Sequence, residues 1–123
     1  MGNIHDLRLW GKSLTLSNAY ANIYTQIIGN EAKLLGYWPM SEGRGTVAYD
    51  KAFFRHASVN ADWDIKPKGT SYEFTNGHYL ELDKMGFAQL TNTMDATISF
   101  WIKTEKGQES TIFSNGKGDG TDP

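Results

Sequence analysis

The chain contains no cysteine. Structural disulfides, a thiolate nucleophile and cysteine metal sites are therefore excluded. It contains no apolar run near the ~20 residues that span a bilayer, so membrane insertion as a helix is not expected. It carries no excess of one charge: the formal net charge is −2, with no basic face to attract nucleic acid or an anionic membrane. No charged-then-apolar segment opens the chain, which leaves any upstream signal undecided.

What is present is aromatic. Trp, Tyr and Phe make up 13% of 123 residues, enough length for one ordinary domain. That aromatic load argues against disorder, because aromatic burial offsets the entropy of folding.

Short strands separated by turn signals dominate the pattern. Asn3–Trp10 alternates, with Leu7 and Leu9 on one face and Arg8 and Trp10 on the other, and Gly11 ends it. Leu35–Met40 is a second strand, in which Trp38 and Met40 share a face. Gly36 there admits a close ring or backbone, and Pro39 implies an edge or bend. Ser41–Gly45 is a turn and Thr46–Tyr49 a short strand. From Asp50 to Gly69 the spacing predicts a long loop with one short strand at Ala57–Asn60 and apolar anchors at Phe53, Phe54 and Trp63. Ser71–Leu82 reads as a hairpin about Asn76-Gly77, a dipeptide suited to a type I′ turn. Met85–Thr93 is a loop. Ala96–Thr104 is the strongest strand, with Ile98, Phe100 and Ile102 on one face and Thr97, Ser99, Trp101 and Lys103 on the other. Lys106–Glu109 is a turn, Thr111–Phe113 begins a further strand, and a Gly- and Asp-rich tail follows.

One helix interrupts this. Leu16, Tyr20, Ile23, Tyr24, Ile27 and Ile28 fall on one stripe, with Ser17 as the expected N-cap and Gly29 just past the C-terminus. Such a stripe is expected to pack on a sheet edge. The fold class expected is all-β: an antiparallel β-sandwich with one short amphipathic helix.

Four segments together, HDLRLWGKSLTLSNAY, LGYWPMSEGRGTVAYD, SYEFTNGHYLELD and ATISFWIKTEKGQESTIFSNG, carry a family likeness. The chain resembles the laminin-G-like, concanavalin-A-like jelly rolls of bacterial secreted and surface proteins. In that family a DLRLW-like strand comes last and a GYWP-like strand first, whereas here the order is reversed. The resemblance implies an incomplete jelly roll: residues 1–14 closing a preceding module, 15–34 a helix and linker, and 35–123 the N-terminal half of the next module. Opening and closing strands lie side by side in that family, so Asn3–Trp10 is expected to pair with Leu35–Met40.

The resemblance also implies a structural calcium at the acid after the second strand, here Asp50, with Asp6 from the closing strand. The sequence departs from that pattern. Asp50–His56 has no Gly or Asn and carries Lys51 and Arg55, and His5 stands where an acid is expected. Glucan-cleaving enzymes of this general fold carry Glu-x-Asp-x-x-Glu on one strand. Glu81-Leu82-Asp83 begins that pattern, but Gly86 breaks it. His5, His56 and His78 are scattered and mark no triad.

No catalytic constellation follows, and the chain is not expected to be an enzyme. Trp101 either packs beneath a loop or the second sheet, the commoner fate in a two-layer fold, or stands exposed to stack on a sugar ring, with Lys103 beside it and Tyr79 as a further contact. The function expected is a non-catalytic, adhesin-like binding or spacer module of an extracellular or cell-surface array. The alternative is a carbohydrate-binding accessory module of a polysaccharide-degrading enzyme. Expected partners are a glycan or surface protein, neighbouring repeats of the same chain, or a second copy through strand exchange. No cofactor is expected beyond the structural calcium.

Overall fold

The strand β1 (Gly2–Trp10) pairs with three others, and the fold is assembled on it. The computed structural model describes residues 2–66, 69–75, 77–82, 95–105 and 112–113. In chain order the elements are β1, α1 (Leu16–Tyr24), β2 (Leu34–Trp38), β3 (Val47–Ala48), β4 (Ala57–Asn60), β5 (Asp62–Lys66), β6 (Gly69–Phe74), β7 (Tyr79–Glu81) and β8 (Thr97–Thr104).

Two antiparallel sheets result. In the first, β8 runs along one edge of β1, while β6 lies beside Gly2–Ile4 and β2 beside Leu7–Trp10 on the other, with β5 outside β6. The second is β3-β4-β7. The expected neighbour relation is present: Leu7 pairs with Trp38, Arg8 with Tyr37 and Leu9 with Gly36.

β1 keeps its apolar residues inward by means of a bulge. His5 pairs with Trp101 and Arg8 with Ser99, so Asp6 and Leu7 together oppose the single Phe100. Asp6 takes the extra place, with φ of 55°. Without it, strict alternation would put Ile4 and Leu7 on opposite faces. With it, Ile4, Leu7 and Leu9 all reach the core between the sheets, where Trp38, Met40, Ala48, Ala57, Val59 and Tyr72 are buried. Each large side chain fully buried there contributes roughly 1.5–3 kcal/mol. Trp38 folds back over Gly36, where a Cβ would collide with its ring. Tyr72 links the layers: its ring lies 3.7 Å from that of Trp63, and its hydroxyl donates to the Val47 carbonyl at 3.4 Å. Burial raises the pKa of that hydroxyl.

Several expectations are corrected. The stretch after Asn60 is not loop: Asp62–Lys66 is β5, and its Trp63 packs against the core. Ser71–Leu82 is not a hairpin. The chain turns at Thr75–His78, where the His78 amide donates to the Thr75 carbonyl at 3.0 Å and Gly77 has φ of 82°. Its flanking strands, however, join different sheets, β6 with β1 and β5, and β7 with β4. Ile112 and Phe113 are exposed and outside any strand. The loop expected at Met85–Thr93, the turn at Lys106–Glu109 and the tail lie outside the described residues.

The helix also differs. Thr15, not Ser17, is its N-cap, with its Oγ1 accepting from the Asn18 amide at 3.3 Å. It ends at Tyr24, and Thr25 is already extended, so Gly29 lies well beyond it. Most of its apolar stripe faces solvent: Leu16, Tyr20 and Tyr24 are exposed and Ile23 is half-buried, while Ile28, expected on the same stripe, lies past the helix and is exposed. Only Ile27, past the helix, is buried, in a cluster with Trp10, Leu34 and Tyr37. The physical reason is that α1 is held by its end and not by its face. Arg8, 2% exposed, donates to the Asn22 and Thr25 carbonyls at the helix C-terminus and lies over the Tyr37 ring. A guanidinium there shares the Asn22 carbonyl with the Thr25 amide, gives the Thr25 carbonyl a donor and complements the helix dipole.

Candidate functional site

The outer face of the five-stranded sheet is divided in two. Beyond the bulge, Arg8, Trp10 and Ser99 are buried on it by α1 and the chain that follows. Thr97 ties this cover down, its Oγ1 donating to the Lys12 carbonyl at 2.8 Å and accepting from the Leu14 amide at 3.0 Å. Before the bulge the face is open, and there β1, β8, β6 and β5 place Asn3, His5, Trp101, Ile102, Lys103, Ser71 and Asp64 around a shallow depression of about 300 Å³. A second depression of about 220 Å³ shares Asn3, Asp64 and Lys103 and continues to Glu73, Thr104 and Glu105.

The floor is built from short hydrogen-bonding groups. The Asn3 amide nitrogen donates to Asp64 Oδ2 at 2.8 Å and to Ser71 Oγ at 3.3 Å. The strand register fixes this triad, since Asp64 pairs with Ser71 and Asn3 with the next outward residue of β6, Glu73. His5 stands at the side, its Nδ1 without a hydrogen-bond partner among the described residues. Trp101 forms the apolar wall. It is 41% exposed, and the Tyr24 ring meets it edge-on, with centroids 5.3 Å apart and planes at 71°. The expectation that Trp101 packs beneath a loop or the second sheet is thus corrected: β8 turns it outward, away from the second sheet.

Two of the three residues expected to contact a sugar, Trp101 and Lys103, meet in this depression. Tyr79 does not join them. It is 55% exposed on β7, in the three-stranded sheet. Sequence reasoning missed Asn3, His5, Ser71 and Asp64, which come together through the pairing of β1 with β8 and β6 and of β6 with β5.

Asp50 and Asp6 do not fit a calcium site. Asp50 is 1% exposed. Its Oδ1 accepts from the Tyr37 and Ala52 amides at 2.9 and 2.8 Å, and its Oδ2 from the Phe53 and Arg55 amides, both at 3.1 Å. Both oxygens are ringed by donors, the opposite of the acceptor shell a cation needs. Asp6 holds Arg8 bidentately, Oδ1 to Nε at 2.6 Å and Oδ2 to NH2 at 2.8 Å. Among the described residues no group of three or more His, Asp or Glu is placed to hold a metal ion.

The histidines have separate surroundings. His56 Nδ1 accepts from the Asp50 amide at 3.1 Å, and His78 Nδ1 lies 3.2 Å from the Thr75 amide, inside its own turn. Of the broken acidic motif, Glu81 is exposed on β7 and Asp83 lies outside the described residues.

Comparison with protein-family models, curated proteins and solved structures finds no match. Over the described residues the chain is all-β, with two antiparallel sheets and a short helix.

Proposed function

We propose that the chain is a non-catalytic recognition module, part of an adhesin-like protein at the cell surface or outside the cell, and that its open sheet face binds a glycan. One observation carries this reading: Trp101 stands exposed as the apolar wall of a depression whose floor is Asn3, Ser71 and Asp64. A sugar presents an apolar C–H face and a rim of hydroxyls, each able to donate and accept. An aromatic wall beside short polar groups matches both features. We place the fold as part of a laminin-G-like jelly roll on the strength of the four sequence segments and the pairing of β1 with β2.

The test is a glycan array followed by affinity electrophoresis in soluble polysaccharides. Wild-type protein is expected to be retarded by at least one of them, and Trp101→Ala to weaken that binding about tenfold, roughly the energy of one lost aromatic contact with its burial. Silence of the wild type across a broad panel would overturn the reading in favour of a spacer.

The spacer reading is the second candidate. It is favoured by β1, which gives its whole length to neighbours that follow it in the chain and would serve equally to couple consecutive modules.

A further inference from the structure

The exposed stripe of α1 continues the aromatic wall. Tyr24 stands against Trp101 with its ring nearly perpendicular, so the two form a corner and not a single flat surface. Tyr20 lies one turn earlier on the same side of the helix, about 6 Å along its axis, and Leu16 one turn before that. Tyr20 and Tyr24 are 58% and 74% exposed. Tyr24 is not the helix's sole tie to the sheet, because Arg8 and the Lys12–Leu14 link to Thr97 also hold it.

We infer that the ligand is a linear, uncharged polysaccharide, and that α1 supplies the second half of its platform: Trp101 and Tyr24 embrace one sugar, and Tyr20 meets the chain further along. This rests on the reading of the Trp101 depression as a glycan site. Charge selects the class. From Ser13 to Asn30 the chain has no charged residue, so the helix side of the platform offers nothing to an ionic ligand. On the sheet side Lys103 stands among Asp64, Glu73 and Glu105, a lining of mixed sign that offers a polyanion no basic patch. The shape selects length: two contiguous depressions and a helix stripe make a track longer than one ring. A hydroxyl-rich chain also answers the polar floor, where an apolar protein surface would leave Asn3, Ser71 and Asp64 facing groups that cannot hydrogen-bond.

The experiment is calorimetric titration of the full chain with cello-, xylo- and mannooligosaccharides of increasing length and with the matching soluble polysaccharides. Wild type is compared with Tyr20→Ala, Tyr24→Ala and Trp101→Ala, each checked for unchanged thermal melting. Affinity is expected to rise with chain length. Trp101→Ala and Tyr24→Ala should weaken every ligand, whereas Tyr20→Ala should weaken long chains about fivefold and leave the shortest bound ones unchanged. If Trp101→Ala abolishes binding while both tyrosine variants bind long chains like the wild type, this inference fails and the glycan reading stands. If no oligosaccharide or polysaccharide binds the wild type, both fail. Sedimentation completes the test: a wild-type dimer that Tyr20→Ala converts to monomer would make the stripe a contact between copies and overturn the inference.

Discussion

Asp50 draws four amide N–H groups from two separate segments onto one carboxylate. Tyr37 belongs to β2, whereas Ala52, Phe53 and Arg55 belong to the turn that leads into β4. The same turn presents the Arg55 carbonyl to the Trp38 indole at 3.1 Å, so the carboxylate also fixes the core tryptophan. Sequence position alone marks Asp50 as an acid following a short strand, and its neighbours Lys51 and Arg55 already weaken a metal assignment. The four donors are backbone groups, which no side-chain pattern advertises. Asp50→Asn replaces one acceptor oxygen by an NH2 that points at amide donors. It is expected to cost roughly 3 kcal/mol, the scale of charge-assisted hydrogen bonds lost together with buried donors left unpaired. Urea unfolding of the variant measures this. Because both oxygens are already engaged, adding millimolar calcium or a chelator should leave the wild-type Tm unchanged. A calcium-dependent rise would show that the cation binds the folded state after all.

The elements divide into those whose partners are local and those whose partners are not. β8 and β4 are legible as strands because alternation over their own residues sets them: Ile98 and Val59 pack on the core while Ser58 and Trp101 are exposed, but Ile102, expected on the core face with Ile98, is exposed and lines the open depression. β6 and β7 carry equally good alternation, and the chain does reverse between Thr75 and His78. A turn dictates only a reversal of the chain, however, and Tyr72 is drawn to Trp63 and the β1 side while Leu80 is drawn to Val59. The helix shows the same limit. Its period is right through Tyr24, but its last predicted turn is unwound where Arg8 takes the terminal carbonyls and Ile27 descends into the second cluster. Glu31 secures this unwound segment, with Oε1 accepting from the Ile28 amide at 2.8 Å and Oε2 from the Gly29 amide at 2.9 Å. Partial desolvation works to raise its pKa. The amides of Ile28, Glu31 and Gly29, helped by Arg8, outweigh that and hold it below the usual glutamate value. A carboxyl with a lowered folded pKa binds protons more readily when unfolded. Its contribution is therefore present above the unfolded pKa and is lost as pH falls through the folded one. Glu31→Gln should accordingly be less stable than the wild type at pH 7, with the gap closing below about pH 4. Urea midpoints measured across that range would reveal this, and a gap independent of pH would assign the loss to packing and not to charge.

At the scale of the whole molecule, β1 is at once the most and the least local element. It belongs to the first ten residues, yet its partners begin at Leu34, Gly69 and Thr97. It contributes Leu9 to the main core, Trp10 to the second cluster and Asn3 and His5 to the open face. Adjacency to β2 was readable from the family likeness. The simultaneous pairing with β6 and β8 was not, because it depends on the Asp6 bulge holding two runs of apolar residues on one side. Removing residues 1–14 would expose the paired edges of β2, β6 and β8 together and open the floor of the core, leaving unpaired N–H and C=O groups that template association. The truncated chain is expected to lose cooperative urea unfolding and to associate. A synthetic peptide spanning residues 2–14, added during refolding, should restore near-UV circular dichroism and the cooperative transition, because it resupplies both the hydrogen-bonded ladder and the buried side chains. The Arg8→Ala version of that peptide should restore much less, since the helix C-terminus would then lack its cation and Asp6 would lack its partner. If residues 15–123 alone unfold in a single sharp transition as monomers, β1 is an appendage and not the organising strand. The open face built on it would then have to be reassigned, because Asn3 and His5 would no longer be held beside Trp101.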